Sequence, residues 1–231
     1  DRGAALRVRL TGGAVASASV EQVLNGANLM AIGDGSAERW ELFQFAEAQP
    51  VSPRVYDLSM RLRGQAGTEA VAPGGWPAGS KVVLMDGAPQ QIGLGLAERD
   101  LARHYRIGPA QRPPSDGSYV HLVEAFAGVG LRPYAPAQLR VLRHGGNHLA
   151  SWVRRTRVGG DSWSGLDVPL GEARELYLVR VYAGAVLKRE ETVGAAAWTY
   201  GAALRASDGV AQSYEIHVAQ VSETFGTGPF A

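Results

Sequence analysis

Apolar and polar residues alternate along most of this chain in short runs. The clearest in the first half are RWELFQF (Arg39 to Phe45), RVYDLSMRL (Arg54 to Leu62), KVVLMDG (Lys81 to Gly87), HYRIG (His104 to Gly108) and YVHLVEAF (Tyr119 to Phe126). A period of two is the pattern of half-buried strands, and each run ends in Gly, Pro or a polar turn. Helical patterning is scarce. SVEQVLNGANL (Ser19 to Leu29) has room for a turn or two with Ser19 as its cap, and Gly26 interrupts it. The expectation is an all-β protein.

A fresh alternating pattern begins at GVGLRPYAPAQLRV (Gly128 to Val141), whose prolines suit a linker or the first edge of a new sandwich. This divides the chain into a β-rich domain at 1–127, a barrel or a sandwich, and a second β domain at 128–231. Within the second, HLASWVRR (His148 to Arg155) is followed by ELYLVRVYAGAVLKREETV (Glu175 to Val193), which folds back at Ala183-Gly184. WTYGAAL (Trp198 to Leu204) reads as a further strand, then SYEIHVAQVS (Ser213 to Ser222). Alternation puts Tyr214, Ile216 and Val218 on one face of that last strand, and Glu215, His217 and Ala219 on the other. Trp152, Tyr177, Tyr214, Ile216 and Val218 are the expected core. The order of these features resembles a fibronectin type III sandwich: a proline-bearing first strand, a tryptophan in the second, and a Tyr-x-Ile-x-Val strand near the end. That resemblance implies two packed sheets of about seven strands.

If these are the second and third strands of the sandwich, Thr156 to Arg174 connects them, far longer than the 2 to 5 residues usual in a hairpin. Arg154, Arg155, Arg157, Asp161, Trp163, Asp167 and Glu172 lie in or beside it. Two readings stand. Charge pairs and an exposed aromatic would suit contact with a partner surface or a sugar ring; alternatively Trp163 folds over the sandwich edge and the arginines are solvated or locally paired.

In the first half, YDLSMRLRGQAGTE (Tyr56 to Glu69) ends a strand in a basic, glycine-punctuated turn. Alternation would line Tyr56, Leu58, Met60 and Leu62 on one face and turn Arg61 and Arg63 to the other, with Gly64 and Gly67 permitting positive φ in the turn. WPAGSKVVLMDG (Trp76 to Gly87) then opens another strand.

Tests for chemistry come out negative. GDSW (Gly160 to Trp163) has the Gly-Asp-Ser element of one esterase class, but none of the five histidines sits in the Asp-x-x-His pair that class needs, and no G-x-S-x-G elbow occurs. His144 and His148 have helical spacing, but HGGNH reads as a turn entering a strand. The carboxylates are scattered, so no glycosidase pair can be picked out from spacing. GLGLAE (Gly93 to Glu98) and GDGSAE (Gly33 to Glu38) lack a phosphate-loop pattern. No catalytic, cofactor or metal residues are expected. With 23 Lys+Arg against 22 Asp+Glu there is no net field to draw the chain to nucleic acid, and no apolar run approaches the roughly 20 residues needed to span a bilayer. The absence of cysteine excludes disulfides and thiolate metal sites. The first residue is Asp1 and ALRVRL is already strand-like, which suggests a piece of something longer.

WELFQFAEA, YDLSMRLRGQAGTE, WPAGSKVVLMDG, HYRIGPA, RPYAPAQLR, SWVRRTRVGGDSW and VPLGEARELYLVRV occur in that order over nearly the whole chain. Together they resemble the C-terminal region of the large tail-tip, or host-specificity, protein of phage-like gene transfer agents, similar in role to the tip attachment proteins of siphophages. The resemblance implies a homotrimeric baseplate-hub component. It would assemble in the cytoplasm with other baseplate and tail proteins and end on an extracellular particle, facing the recipient envelope and its polysaccharide or another outer receptor. It also implies that any glycosidase-like activity lies in upstream domains absent from these residues, so this segment is expected to be non-enzymatic. Trp76, Arg155, Arg157, Asp161 and Trp163 are the candidate contact residues. The rival expectation is a carbohydrate-binding accessory module of a secreted hydrolase, since aromatic loops on β-sandwiches suit sugars.

Overall fold

A computed structural model of the chain describes residues 1–87, 89–160, 165, 167–210 and 213–231. The fold is all-β apart from two short α-helices and a few 3-10 turns among the described residues, and it divides into two compact units, Asp1–Val129 and Gly130–Ala231.

In the first unit, β1 (Leu6–Arg9), β2 (Leu29–Gly33), β3 (Trp40–Ser52), β4 (Val55–Gln65) and β5 (Lys81–Leu84) form one antiparallel sheet in the order β1-β4-β3-β2-β5. Both edges of that sheet contribute to one core. Leu6 and Val8 of β1, and Val82 and Leu84 of β5, pack on the same cluster of Met30, Ile32, Phe43, Phe45 and Leu58. The sheet is therefore curled towards a barrel, with its seam between β1 and β5. The helix α1 (Val20–Leu24) begins as its sequence suggests: Ser19 Oγ accepts from the Gln22 amide at 3.2 Å, and Gln22 Oε1 accepts from the Ser19 amide at 2.9 Å. This reciprocal cap satisfies two otherwise orphaned donors. At its other end, the buried Gln44 donates through Nε2 to the carbonyls of Val23 (2.6 Å) and Ala27 (2.8 Å), tying the helix to β3.

The expected face of β4 holds only as far as Leu58. Leu58 is fully buried, but Met60 has a φ of +52° and is exposed. A left-handed residue within a strand breaks the pleat, so the parity of the faces changes beyond it. Arg61 then stands opposite Phe45, and its Nη2 donates to Asp1 Oδ2 and the Ala4 carbonyl, both at 2.9 Å. Gly64, by contrast, behaves as expected: its φ is +63°, and a Cβ there would lie 2.7 Å from the Glu69 Cβ.

The strands β6 (Arg103–Ile107) and β7 (Val120–Glu124) form a separate antiparallel ribbon. Its connection is stapled by Tyr119 Oη, which donates to the Pro109 carbonyl at 2.9 Å, and by an Arg112–Asp116 pair at 3.2 Å.

The second unit comprises β8 (Ala137–His144), β9 (Asn147–Val153), β10 (Tyr177–Ala183), β11 (Val186–Val193), β12 (Ala197–Tyr200), α2 (Ala202–Ser207), β13 (Glu215–Ser222) and β14 (Gly226–Thr227). One sheet has the order β12-β9-β8 and the other β11-β10-β13-β14. The first, second and fifth strands thus share one sheet, and the third, fourth, sixth and seventh share the other, which is the fibronectin type III arrangement. Strands β8 and β9 join through Gly145 and Gly146, with φ of +55° and +82°; two successive positive φ values are what a two-residue hairpin turn of the right twist requires.

Between the sheets Trp152, Tyr177 and Val218 are buried with Ala150, Val179, Val181, Trp198 and Tyr200, and Tyr214 and Ile216 pack half-buried against them. Trp152 meets Tyr177 edge to face, with centroids 5.2 Å apart. Two expectations need correction. WTYGAAL is strand only to Tyr200, because the alanine-rich stretch that follows favours helix and Gly201 starts α2 in extended conformation. On β13, Ala219 and Gln220 are buried along with Val218, so the strand is covered on both faces towards its end.

The break at Met60 has a measurable consequence. Leu58→Ala should destabilise the chain by about 2–5 kcal/mol in urea denaturation, whereas Met60→Ala should cost less than about 1 kcal/mol. Equal losses would mean that the two side chains share a face after all.

Candidate functional site

Period two in β3 places Glu41 on the side of Phe43 and Phe45, and the structure leaves this carboxylate 1% exposed. Four donors converge on it. Arg63 gives Nε to Oε1 at 2.8 Å and Nη2 to Oε2 at 2.7 Å, the Gly64 amide reaches Oε1 at 3.2 Å, and the Trp76 indole N–H reaches Oε2 at 2.6 Å. Arg63 also donates to the carbonyls of Pro73 (2.7 Å) and Gly74 (3.4 Å). The loop between β4 and β5 is thus clamped to the sheet at Pro73, Gly74 and Trp76. Burial alone would push the Glu41 carboxyl up, but the guanidinium, the indole N–H and the Gly64 amide together hold it below the usual carboxylate range. An ionised carboxylate with these donors has no proton to give and little free lone-pair capacity. The cluster positions Trp76; it is not built for acid–base chemistry.

Trp76 in turn lines a cleft of about 530 Å³ at the seam of the curled sheet, together with Leu6, Arg7, Arg9, Ile32 and Ser80. That volume is in the range of ligand pockets, which run from about 300 to 1,000 Å³. Arg7 is fixed by a bidentate pair with Asp57, both bonds 2.8 Å, while Arg9 is exposed. The cleft therefore offers one aromatic face with its polar end tied, an apolar floor and a basic rim.

In the second unit the stems of the long β9–β10 connection are held by its arginines. Arg154 Nη2 donates to Asp167 Oδ2 (2.7 Å) and the Val168 carbonyl (2.9 Å), and Nη1 to the Pro169 carbonyl (2.8 Å). Arg155 lies over the Tyr134 ring at 5.1 Å, and Arg157 over the Phe225 ring at 5.0 Å. Arg157 also reaches Glu172 at 3.3 Å. Arg154 and Arg157 are locally paired, and Arg155 and Arg157 are half-buried. Asp161, Ser162 and Trp163 lie outside the described residues. Of the candidate contact residues, Trp76 belongs to the first unit and the other four to the second.

Two polar clusters of the second unit have no signal in local sequence spacing. Asp208 accepts from Arg189 Nε (2.7 Å) and Nη2 (2.8 Å) and from Tyr200 Oη (2.6 Å), fastening the end of α2 to β11 and β12. The Arg189 guanidinium holds Asp208 below its ordinary range, while burial and Asp208 push the Tyr200 phenol up. The buried His148 meets the Tyr214 hydroxyl through Nδ1, and burial, together with Arg205 and Arg143, lowers its pKa.

Removing Glu41 tests the clamp. Glu41→Gln should cost about 3 kcal/mol at neutral pH, because it leaves Arg63 without its buried partner. The sign of the pH dependence follows from a folded-state pKa below the unfolded value of about 4.3. The ionised carboxylate stabilises fully above that value, and the contribution is lost as pH falls through the folded pKa. Urea denaturation at pH 7 and pH 3 should show the gap between parent and Glu41→Gln shrinking in acid.

Comparison with known proteins adds three findings. Residues 1–83, which contain Glu41, Arg63, Trp76 and the seam, match the model of a family described as Rcc01698-like, C-terminal. None of the curated proteins matches the chain. Among solved structures the chain is similar to domains d3–d4 of the rat CD45 extracellular region, with 10% identity and a TM-score of 0.32 over 89% of this chain and 92% of that one.

Proposed function

We propose that this chain is a non-enzymatic structural and adhesive part of the tail tip of a phage-like gene transfer agent. The observation that carries the reading is an overlap. The segment matched by the Rcc01698-like, C-terminal family, residues 1–83, contains WELFQFAEA and YDLSMRLRGQAGTE and most of WPAGSKVVLMDG, the stretches on which the resemblance to gene transfer agent tail-tip proteins rests. Those same stretches supply Glu41, Arg63 and Trp76.

In this reading the clamped barrel and the sandwich are rigid supports. The seam cleft with Trp76 and the β9–β10 connection are the parts turned towards an envelope component such as a cell-surface polysaccharide, and the chain assembles as a homotrimer with other baseplate and tail proteins. Threefold repetition turns weak individual contacts into firm attachment through effective concentration. The particle carrying it is extracellular after assembly in the cytoplasm.

Electron cryomicroscopy of intact particles tests the assignment. The expected result is three copies of this chain at the distal end of the tail. Its absence from particles, with the chain recovered from the medium attached to a hydrolase, would overturn the reading in favour of a carbohydrate-binding accessory module.

A further inference from the structure

We propose that His104 and His121 form a two-histidine site for a divalent first-row transition metal. They come from different strands of the β6–β7 ribbon. Its register pairs His104 with Val123 and Arg106 with His121, so the two imidazoles are diagonal neighbours on one face. His104 Nδ1 is 2.9 Å from His121 Nε2, and the ring planes are 12° apart with centroids 5.1 Å from each other. A nitrogen separation so much shorter than the centroid separation, at a small interplanar angle, sets the rings edge to edge with one proton between them.

Two nitrogens each about 2.1 Å from a metal, at a right angle to one another, stand about 3 Å apart. The observed pair is already at that separation. For an ion to replace the shared hydrogen bond, the donor ring carries its proton on its other nitrogen, and rotation of both rings about their Cβ–Cγ bonds turns the two lone pairs onto the ion. Both histidines are exposed, leaving the other coordination positions to water. No third His, Cys, Asp or Glu joins them among the described residues. Of the neighbouring cations, Arg106 on the same face directs Nη1 to the Pro114 carbonyl at 2.8 Å, and Arg103 pairs with Glu98 at 2.5 Å. Imidazole donors select nickel, copper or zinc over magnesium or calcium.

The surroundings give such a site a purpose. The ribbon pairs with no other strand among the described residues, and an isolated two-stranded ribbon is marginal in water. An ion held by one histidine from each strand ties β6 to β7, and its binding free energy becomes stability of the ribbon.

Isothermal titration of nickel chloride into the untagged chain tests the proposal, with His104→Ala, His121→Ala and His144→Ala compared. One ion should bind per chain, at least 10-fold more weakly after either substitution in the pair and unchanged in His144→Ala. The histidine ring resonances broadened first by nickel should be those of His104 and His121. Full affinity in either pair variant, no binding at millimolar nickel, or first broadening at another histidine would overturn the assignment. Since both side chains are exposed, far-UV circular dichroism should show all three variants folded.

Discussion

A charged carboxylate buried against a small curled sheet is the constraint around which the first unit is arranged. Glu41 is tolerable there only because every direction in which it could need a donor is filled, by Arg63, Gly64 and Trp76. Each of those donors imposes something on the backbone. Arg63 must lie on the core side, which the break in β4 at Met60 accommodates. Gly64 must allow both a positive φ and the close approach of Glu69. Trp76 must sit over the seam, which carries the loop leading into β5. The positive φ of Gly64 and the placing of Trp76 thus belong to one hydrogen-bonded cluster. An apolar core of equal volume would avoid the desolvation cost that this buried ion pair carries.

The second unit solves a similar problem differently. Its inter-sheet core is apolar and aromatic, with Trp152 against Tyr177, and its polar fastenings stand at the periphery. Asp208 ties the end of α2 to β11 and β12, and Arg154, Arg155 and Arg157 tie the stems of the long connection. The arginine heads of the stems are therefore engaged within the unit itself.

Much of this was legible in the sequence where one local rule dominates. Ser19 announces a capped turn, and the two glycines of HGGNH announce a turn entering a strand. Trp152, Tyr177 and Val218 fall on the buried parity of their strands. The failures have physical causes. Alternation assumes an unbroken pleat, and Met60 breaks it. WTYGAAL reads as strand throughout only if the helix preference of Ala202 to Ala206 is passed over. Glu41 was discoverable, because parity puts it with Phe43 and Phe45, but a lone glutamate among strand residues is usually solvated. The histidine pair left no trace in spacing: His104 and His121 meet through the register of two strands, which only the folded ribbon reveals.

If the clamp holds the barrel, it does so as an ion pair, and the ionisation state of Glu41 is its most direct test. Titration of the Glu41 side-chain carboxyl by carbon-detected nuclear magnetic resonance, in protein labelled at glutamate, would read that state in the folded chain. The account predicts a midpoint below the ordinary glutamate value of about 4.3, with the Trp76 indole N–H resonance shifting in the same step. A carboxyl that takes up its proton above that value while the chain stays folded would show that burial outweighs the donors and would contradict the clamp.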